Sequence, residues 1–427
     1  MPNGEASRSA QPGASPDLDD TADYNRPTMP IYLDHAATTP VRPEVLESML
    51  PFLSGAFGNP SSAHSFGRQA REALDDAHDR LARAIGAEPR EVVFTSGGTE
   101  ANNLAIKGAA WAGRARGHRI VTTPVEHHAV GHALAHLEKF GFEVVEVPVD
   151  RYGRVDPADV ERALTDRTVV VTVMLANNEV GTIQPIAEVG EVVRSRRGLL
   201  FHVDAVQAAP WLDLDVASLG ADLVALGAHK AEGPKGTGAL WIRRGTHILA
   251  QQHGGSQERY RRAGTENVAG AVGMATAFEL RAAERKTIVP AVRSRRDRIL
   301  GSLTAIDGVE PTGHPVERLP HIASVIVPGV DGGSITLALD LEGIATSTGS
   351  ACTSGSTEAS HVLSAMGYPP EEALGALRVS LGRTTTDAEL DEAIRVIPGV
   401  IDRLRAAGPA AAAEPAASEA EGIGVAG

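Results

Sequence analysis

The sequence holds a single cysteine, Cys352, among 427 residues. One thiol closes no internal disulfide and builds no cysteine-rich metal site. That usage agrees with a reducing compartment. Lysine is also scarce, with five in the chain. No apolar run approaches the roughly 20 residues that a membrane-spanning helix needs. The opening segment, MPNGEASRSAQPGASPDLDD, lacks the basic start and apolar stretch of a secretory signal. Positive charge is in deficit, 40 Lys and Arg against 54 Asp and Glu, for a net of −14. Such a balance favours solubility and opposes unspecific binding to nucleic-acid backbone. The expectation is a cytoplasmic enzyme with no membrane and no direct nucleic-acid partner.

What the chain does have is enough apolar sequence, 42%, for a large core. Residues 1–29 are rich in Pro, Gly, Ser and Asp without apolar period, and are expected to be disordered. The low-complexity tail 406–427 carries the same expectation. Between them, short β-branched runs alternate with helical patterns: EVVFTS, HRIVTT, FEVVEVPV, RTVVVTVMLA, LLFHVDA, DLVALGA and TGALWI. Apolar runs of this length without alternation suit strands buried on both faces. Interleaved helices then predict an α/β domain with a mostly parallel sheet. Beyond residue 265 come a long helix over about 267–304, the strand HIASVIVPG, a helix near 333–342, the strand ALRVSLG and a closing helix. This predicts a smaller α+β domain.

Polar groups collect where such sheets bind ligands, at the C-terminal ends of strands. In EVVFTSGGTEANN a strand runs through Gly97 and Gly98 into a helix whose free N–H groups suit an anion. Neither a Walker loop nor a dinucleotide fingerprint is spaced there. FHVDAVQA ends a strand on Asp204, with Gln207 three residues later, and LVALGAHK ends the next on His229 and Lys230. A lysine, a carboxylate and a helix N-terminus together suit pyridoxal phosphate. The lysine forms a Schiff base, the carboxylate keeps the pyridine nitrogen protonated and the helix receives the phosphate. Lys107 and Lys139 fall on solvent faces of helices and Lys286 in a charged helix. Lys235, in the turn GPKG, is the rival of Lys230. Taken singly, each feature has a plainer reading: a capped helix, a surface ion pair, or a solvated loop for the basic run ERYRRAG.

Ten segments in order carry a resemblance: YLDHAATTP, GNPSSAHSFG, FTSGGTEANNLAIKG, EHHAV, NNEVGTIQPI, HVDAVQA, HKAEGPKGTGAL, RRAGTENVAG, GSACTSGSTEASHVLSAMG and LRVSLGRTTT. Over about residues 31–405 the chain resembles the pyridoxal-phosphate-dependent cysteine desulfurases of the NifS/IscS branch, in the class-V aminotransferases. The resemblance implies fold type I architecture: a mostly parallel seven-stranded sheet in a large domain, plus a smaller α+β domain. The corresponding divisions are a segment at 30–45 packing with the small domain, a large cofactor domain at 46–280 and a small domain at 281–405. It implies a homodimer that converts L-cysteine to L-alanine through a Schiff base on pyridoxal 5′-phosphate. Sulfur is left as a persulfide on Cys352 and passed to an acceptor protein of iron–sulfur cluster assembly or of tRNA or cofactor thiolation. A selenocysteine lyase or an aminotransferase of the same fold is the alternative; a non-enzymatic scaffold would not need the catalytic set.

Carried over by residue, Lys230 would hold the cofactor and Asp204 would pair with its pyridine nitrogen. Gln207 would bond the phenolic oxygen, and His127 would stack on the ring and move protons. Gly98, Thr99 and His229 would hold the phosphate, with Thr265 reaching it from the other subunit. Asn178 and Arg378 would fix the substrate carboxylate, a task that suits the planar fork of arginine. His128 is read as structural, at the start of an amphipathic helix, and no metal is expected. One departure stands out. The family usually has Ser three residues before the lysine, in the phosphate cup; here that position is Gly227, and Ala231 replaces a bulky residue after the lysine. The segment TGSACTSGS gives Cys352 a loose setting. With Gly349 and Gly355 as pivots, residues 347–357 are expected to be mobile, so that one thiol serves both the cofactor site and the acceptor.

Overall fold

The computed structural model describes residues 30–349 and 359–408. The chain opens with β1 (Ile31–Tyr32), α1 (Pro43–Leu53) and α2 (Ser65–Ala84). The α/β region follows: β2 (Val92–Thr95), α3 (Gly98–Gly113), β3 (Arg119–Thr122), α4 (His128–Glu138), β4 (Glu143–Glu146), α5 (Pro157–Ala163), β5 (Thr168–Thr172), α6 (Ile186–Arg194), β6 (Leu200–Asp204), β7 (Leu223–Gly227) and β8 (Gly238–Ile242). The remainder is α7 (Val268–Thr304), β9 (Glu310–Pro311), β10 (Ile322–Ile326), α8 (Gly332–Leu341), β11 (Ile344–Ala345), α9 (His361–Ala365), α10 (Pro370–Ala373), β12 (Ala376–Ser380) and α11 (Asp387–Ala407).

Seven strands form one sheet in the order β2-β8-β7-β6-β5-β3-β4. Only β8 runs against its neighbours, so the sheet is mostly parallel, as expected. The apolar runs explain it. Successive residues of a strand point to opposite faces, and here both faces are buried. Leu223 and Ala225 of β7 pack into one core cluster with Leu104 and Ile106 of α3. Val224 and Leu226 pack into the other, with Val189 of α6 and Met274 of α7. Each such side chain contributes roughly 1.5–3 kcal/mol on burial.

Beyond the large sheet, β12-β10-β9 form a three-stranded antiparallel sheet, and β1 pairs in parallel with β11. The unbroken 37-residue α7 packs against α1 and α2 at one end and β10 and α11 at the other. The closing helix runs to Ala407, two residues into the segment expected to be disordered; the rest of that tail from residue 409, residues 1–29 and the segment 350–358 lie outside the described residues. Among the described residues no helix is long and apolar enough to cross a membrane.

Candidate active site

Three chain segments meet where β2, β6 and β7 end. Asp204 is the last residue of β6 and is buried. Its Oδ2 accepts from Nδ2 of Asn102 at 2.7 Å, and its Oδ1 from the Val206 N–H at 2.9 Å. Past β7 a 3-10 turn, Ala228–Lys230, sets out His229 and Lys230. The Lys230 Nζ donates to the carbonyls of Ala36 and, at 2.8 Å, Ala37. The start of α3 lies opposite. Its N-cap, Gly97, offers no side-chain hydrogen bond, so the first N–H groups await another acceptor. A Cβ on Gly98 would come within 2.5 Å of Val206 Cγ2, so only glycine lets the helix enter this close.

His127 is the N-cap of α4 and accepts the Ala129 N–H on Nδ1 at 3.0 Å. Its neutral ring therefore carries the proton on Nε2. Burial, outweighing the pull of Asp204, lowers its pKa and keeps it neutral near pH 7. His229, bonded through Nδ1 to Thr38 Oγ1 at 3.1 Å, is lowered to about 4 by burial and then by Lys230 and Lys235. Glu126 behind them is raised to about 8, chiefly by burial. Its Oε1 accepts from the Thr123 hydroxyl (2.9 Å) and the Met174 N–H (2.8 Å), while Oε2 has no partner among the described residues.

Glu126 therefore carries a stability signature. Its folded pKa lies above its unfolded one, so its contribution to stability is fully present below about pH 4.5 and is lost as pH rises towards about 8. Glu126→Gln keeps the accepting oxygen and removes the titration. We expect the variant to gain on the native protein between pH 5 and 8, by roughly 1–3 kcal/mol at the upper end. Parallel melting curves for the two proteins across that range would count against a buried, protonated Glu126.

Arg378, on β12, is 1% exposed. Its Nη2 pairs with Asp34 Oδ1 at 2.8 Å; its Nη1 donates to the carbonyls of Asn178 (2.7 Å) and Gly349 (2.9 Å). The backbone of Arg378 also exchanges hydrogen bonds with Ser347. Residues 347–349 are thus tied down, contrary to the expected mobility from residue 347. Gly349 itself has a φ of 97°, a conformation that favours glycine. Cys352 lies outside the described residues, as does Gly355. After the segment, Ser360 donates to Glu179 Oε2 at 2.6 Å and the His361 ring contacts the Glu126 carbonyl at 2.9 Å.

One cavity of about 260 Å³ gathers Gly98, Thr99, His127, Asn178, Asp204, Gln207, His229, Lys230 and Arg378. Lys235 is not in its wall; that amine donates to the Thr39 carbonyl. Gly227 sits behind Val206, which does border the cavity. Thr265 is exposed and outside it. The basic run is not a solvated loop. Arg259 and Arg261 donate to carbonyls of residues 89–92, and Arg262 pairs with Glu100 at 2.8 Å. His128, read as purely structural, also borders the cavity and stacks on His132 (5.1 Å, 24°). The helix begins between the two histidines, and both border the cavity. Sequence reasoning missed Asn102, Glu179 and His361. Helical spacing places Asn102 one turn into α3; nothing local marked the other two.

An amine, a buried carboxylate and an uncapped helix N-terminus on one cavity form the donor set of a pyridoxal-phosphate enzyme. The residues present fit that group: the Gly98 cradle would be filled by any side chain, and the buried Oε1 of Gln207 and Oδ1 of Asn102 have no partner among the described residues. The family model of the class-V aminotransferases matches residues 31–392. A cysteine desulfurase IscS of Methanosarcina thermophila is 48% identical over 379 residues, 89% of this chain and 94% of that one. One from Dictyoglomus turgidum is 48% identical over 380 residues, 89% and 96% of the two chains. Among solved structures, a NifS-like protein superposes with a TM-score of 0.83 at 36% identity, over 88% of this chain and all of its own. SspA in complex with cysteine gives 0.74 at 33%, over 83% and 99%. The chain belongs to the class-V aminotransferase family, in its NifS/IscS branch, whose members depend on pyridoxal phosphate.

Proposed function

We propose that this chain is a cysteine desulfurase that converts L-cysteine to L-alanine and passes the sulfur through Cys352 to an acceptor protein. The observation that carries this reading is the convergence of Lys230, Asp204, His127 and Arg378 on one cavity, with the cysteine segment departing from Gly349 on the Arg378 guanidinium. Pyridoxal phosphate, when bound, supplies the electron sink for cleavage of the carbon–sulfur bond. Lys230 would be its point of attachment and Asp204, steadied by Asn102 and Val206, the partner of its pyridine nitrogen. The N–H groups at Gly98 and Thr99, with His229, would hold the phosphate; Gln207 would hydrogen-bond the phenolic oxygen. His127 would cover the ring and present its Nε2 proton. Arg378 and Asn178 would receive the substrate carboxylate, the guanidinium being oriented by Asp34.

The sulfur step balances without an outside oxidant. The Cys352 thiolate attacks the substrate sulfur and an S–S bond forms. The Cβ–S bond breaks, its electron pair stays with carbon, and carbon takes up a proton to become the methyl group of alanine. The thiolate is the nucleophile, so its surroundings must favour ionisation. The test is the visible absorbance of the reconstituted protein. L-cysteine should perturb the band and release one alanine per sulfur delivered; a band indifferent to L-cysteine would reject the reading.

A homodimer belongs to the same proposal, with Thr265 serving the partner's cofactor phosphate. Its support is that Thr265 lies outside its own cavity, on a segment tied to the start of α3 by the Arg262–Glu100 pair. In addition, α1 leaves Leu46, Leu50 and Leu53 exposed, with Phe57 and Phe66 beyond it, an apolar set that a second copy would cover. The boundary between large and small domains is placed near residue 280, within α7.

Gly227 tests the phosphate cup. Its φ of −129° suits any residue, so backbone strain does not require glycine. A Cβ there would stand 3.0 Å from Val206 Cγ1, close enough that the valine must yield slightly. Gly227→Ser is expected to tighten cofactor binding up to about tenfold by adding a hydroxyl, a gain of roughly 1.4 kcal/mol. The gain should be fullest in a Val206→Ala background. Equal or weaker retention on dialysis in both backgrounds would discard the missing-hydroxyl account.

A further inference from the structure

The turn that carries Lys230 ends on a residue in an uncommon conformation. Glu232, two residues on, has a φ of 62°. The backbone closes there as many helices do: the N–H groups of Ala231 and Gly233 both donate to the Ala228 carbonyl, at 2.9 and 3.0 Å. Glycine is the usual residue at such a left-handed position, because it has no Cβ to strain. Glycine would serve this backbone equally, so the turn alone does not account for a glutamate. The reason lies in its side chain.

Glu232 is 3% exposed. Its Oε2 accepts from Arg383 Nε at 3.0 Å and lies 3.6 Å from Arg281 Nη2. Arg383 stands three residues past β12, the strand that carries Arg378, and Arg281 comes from α7. The glutamate backbone is held as well. Its N–H donates to Thr39 Oγ1 (3.0 Å), that hydroxyl donates to the His229 carbonyl (2.7 Å), and the Glu232 carbonyl accepts the Arg42 N–H (3.0 Å). The same opening segment meets β12, where the Ala36 N–H donates to Ser380 Oγ at 2.8 Å. Lys230 in turn donates to the Ala36 and Ala37 carbonyls. The lysine turn, residues 36–42 and the end of β12 therefore form one hydrogen-bonded unit, and the Glu232 carboxylate closes it.

We propose that Glu232 is a positioning residue for Lys230: pinned by Arg383, its carboxylate fixes the turn from which the amine enters the cavity and ties that turn to the strand of Arg378. This rests on the pyridoxal-phosphate reading of the cavity. A carboxylate that only neutralised two arginines would support the fold, and its loss would weaken every ligand of the cavity alike. A positioning carboxylate acts on the amine, so its loss hinders only what requires Lys230 to be in place.

The experiment compares two probes on the full-length apoprotein. Pyridoxal 5′-phosphate attaches to Lys230, and attachment is followed by the visible band and by borohydride labelling of the peptide. Pyridoxamine 5′-phosphate has an amine in place of the aldehyde, so it binds without attaching. Glu232→Gly removes the carboxylate and keeps a residue suited to the observed φ. It should slow attachment by roughly fivefold or more, while the dissociation constant of pyridoxamine 5′-phosphate stays within about twofold of native. Glu232→Gln, which retains an oxygen for Arg383, should bring attachment back to within about twofold of native. In an Arg383→Met background, Glu232→Gly should slow attachment less than it does alone. If the glycine variant does not fold, Arg383→Met, at a partly exposed side chain, should give the same split between the probes. Unchanged attachment, equal weakening of both probes, or an undiminished second loss in the Arg383→Met background would overturn the proposal. Native protein that fails to attach pyridoxal phosphate at Lys230 would reject the cavity reading and this inference with it.

Discussion

Lys230→Ala is expected to abolish covalent attachment of pyridoxal phosphate and to lower turnover by roughly a thousandfold or more, the scale of losing both the attachment and a proton-transfer group. In composition alone Lys235 competes with Lys230, five residues away in the same glycine-rich stretch. The structure separates them. Lys230 borders the cavity with Asp204 and His127, whereas Lys235 donates to the Thr39 carbonyl and faces another depression, beside His35 and Thr385. Reduction with borohydride followed by peptide mapping should place the label on Lys230 in the native protein and on no lysine in the variant. Label on Lys235 would reverse the assignment. Circular dichroism of the variant separates loss of attachment from unfolding, since the amine also donates to the Ala36 and Ala37 carbonyls.

Cys352→Ser is expected to separate binding from sulfur transfer. The cavity groups proposed to meet cofactor and substrate are all outside the changed position, so the visible band and its response to L-cysteine should persist. Alanine and sulfide release should fall by roughly 10²-fold or more, because a serine hydroxyl cannot supply a thiolate at neutral pH. The same variant divides the candidate activities. An aminotransferase or a lyase that ignores the thiol would keep its rate; a desulfurase would not. Release at the native rate from the serine variant would remove Cys352 from the mechanism. The geometric basis is that Gly349, three residues earlier, is bonded to Arg378 in the cavity wall.

The large sheet was legible in the sequence for a simple reason. Runs such as LVALG have no alternation, and a strand buried on both faces needs none: Val224 and Leu226 fill one core, Leu223 and Ala225 the other. Asp204 and Lys230 were legible too, since a polar residue that ends such a run falls at the sheet's C-terminal edge whatever the rest of the chain does. These are properties of local order, and the order of ten motifs added the family. The structure alone decided what depends on pairs far apart in the chain. Arg378 is oriented by Asp34, 344 residues away, and by the Gly349 carbonyl; no spacing rule links them. The expected freedom of residues 347–349 failed for the same reason: composition reports what a segment permits, while hydrogen bonds to β12 decide what it does. Gly227 needed coordinates as well, because its meaning turned on φ and on Val206, not on its own identity. The contact of Gln207 with His321, 114 residues later, is the furthest from the sequence, as is the indole stacked on that ring. A residue's chemistry is carried in one letter, but the direction in which it is offered is set by neighbours that only folding brings together.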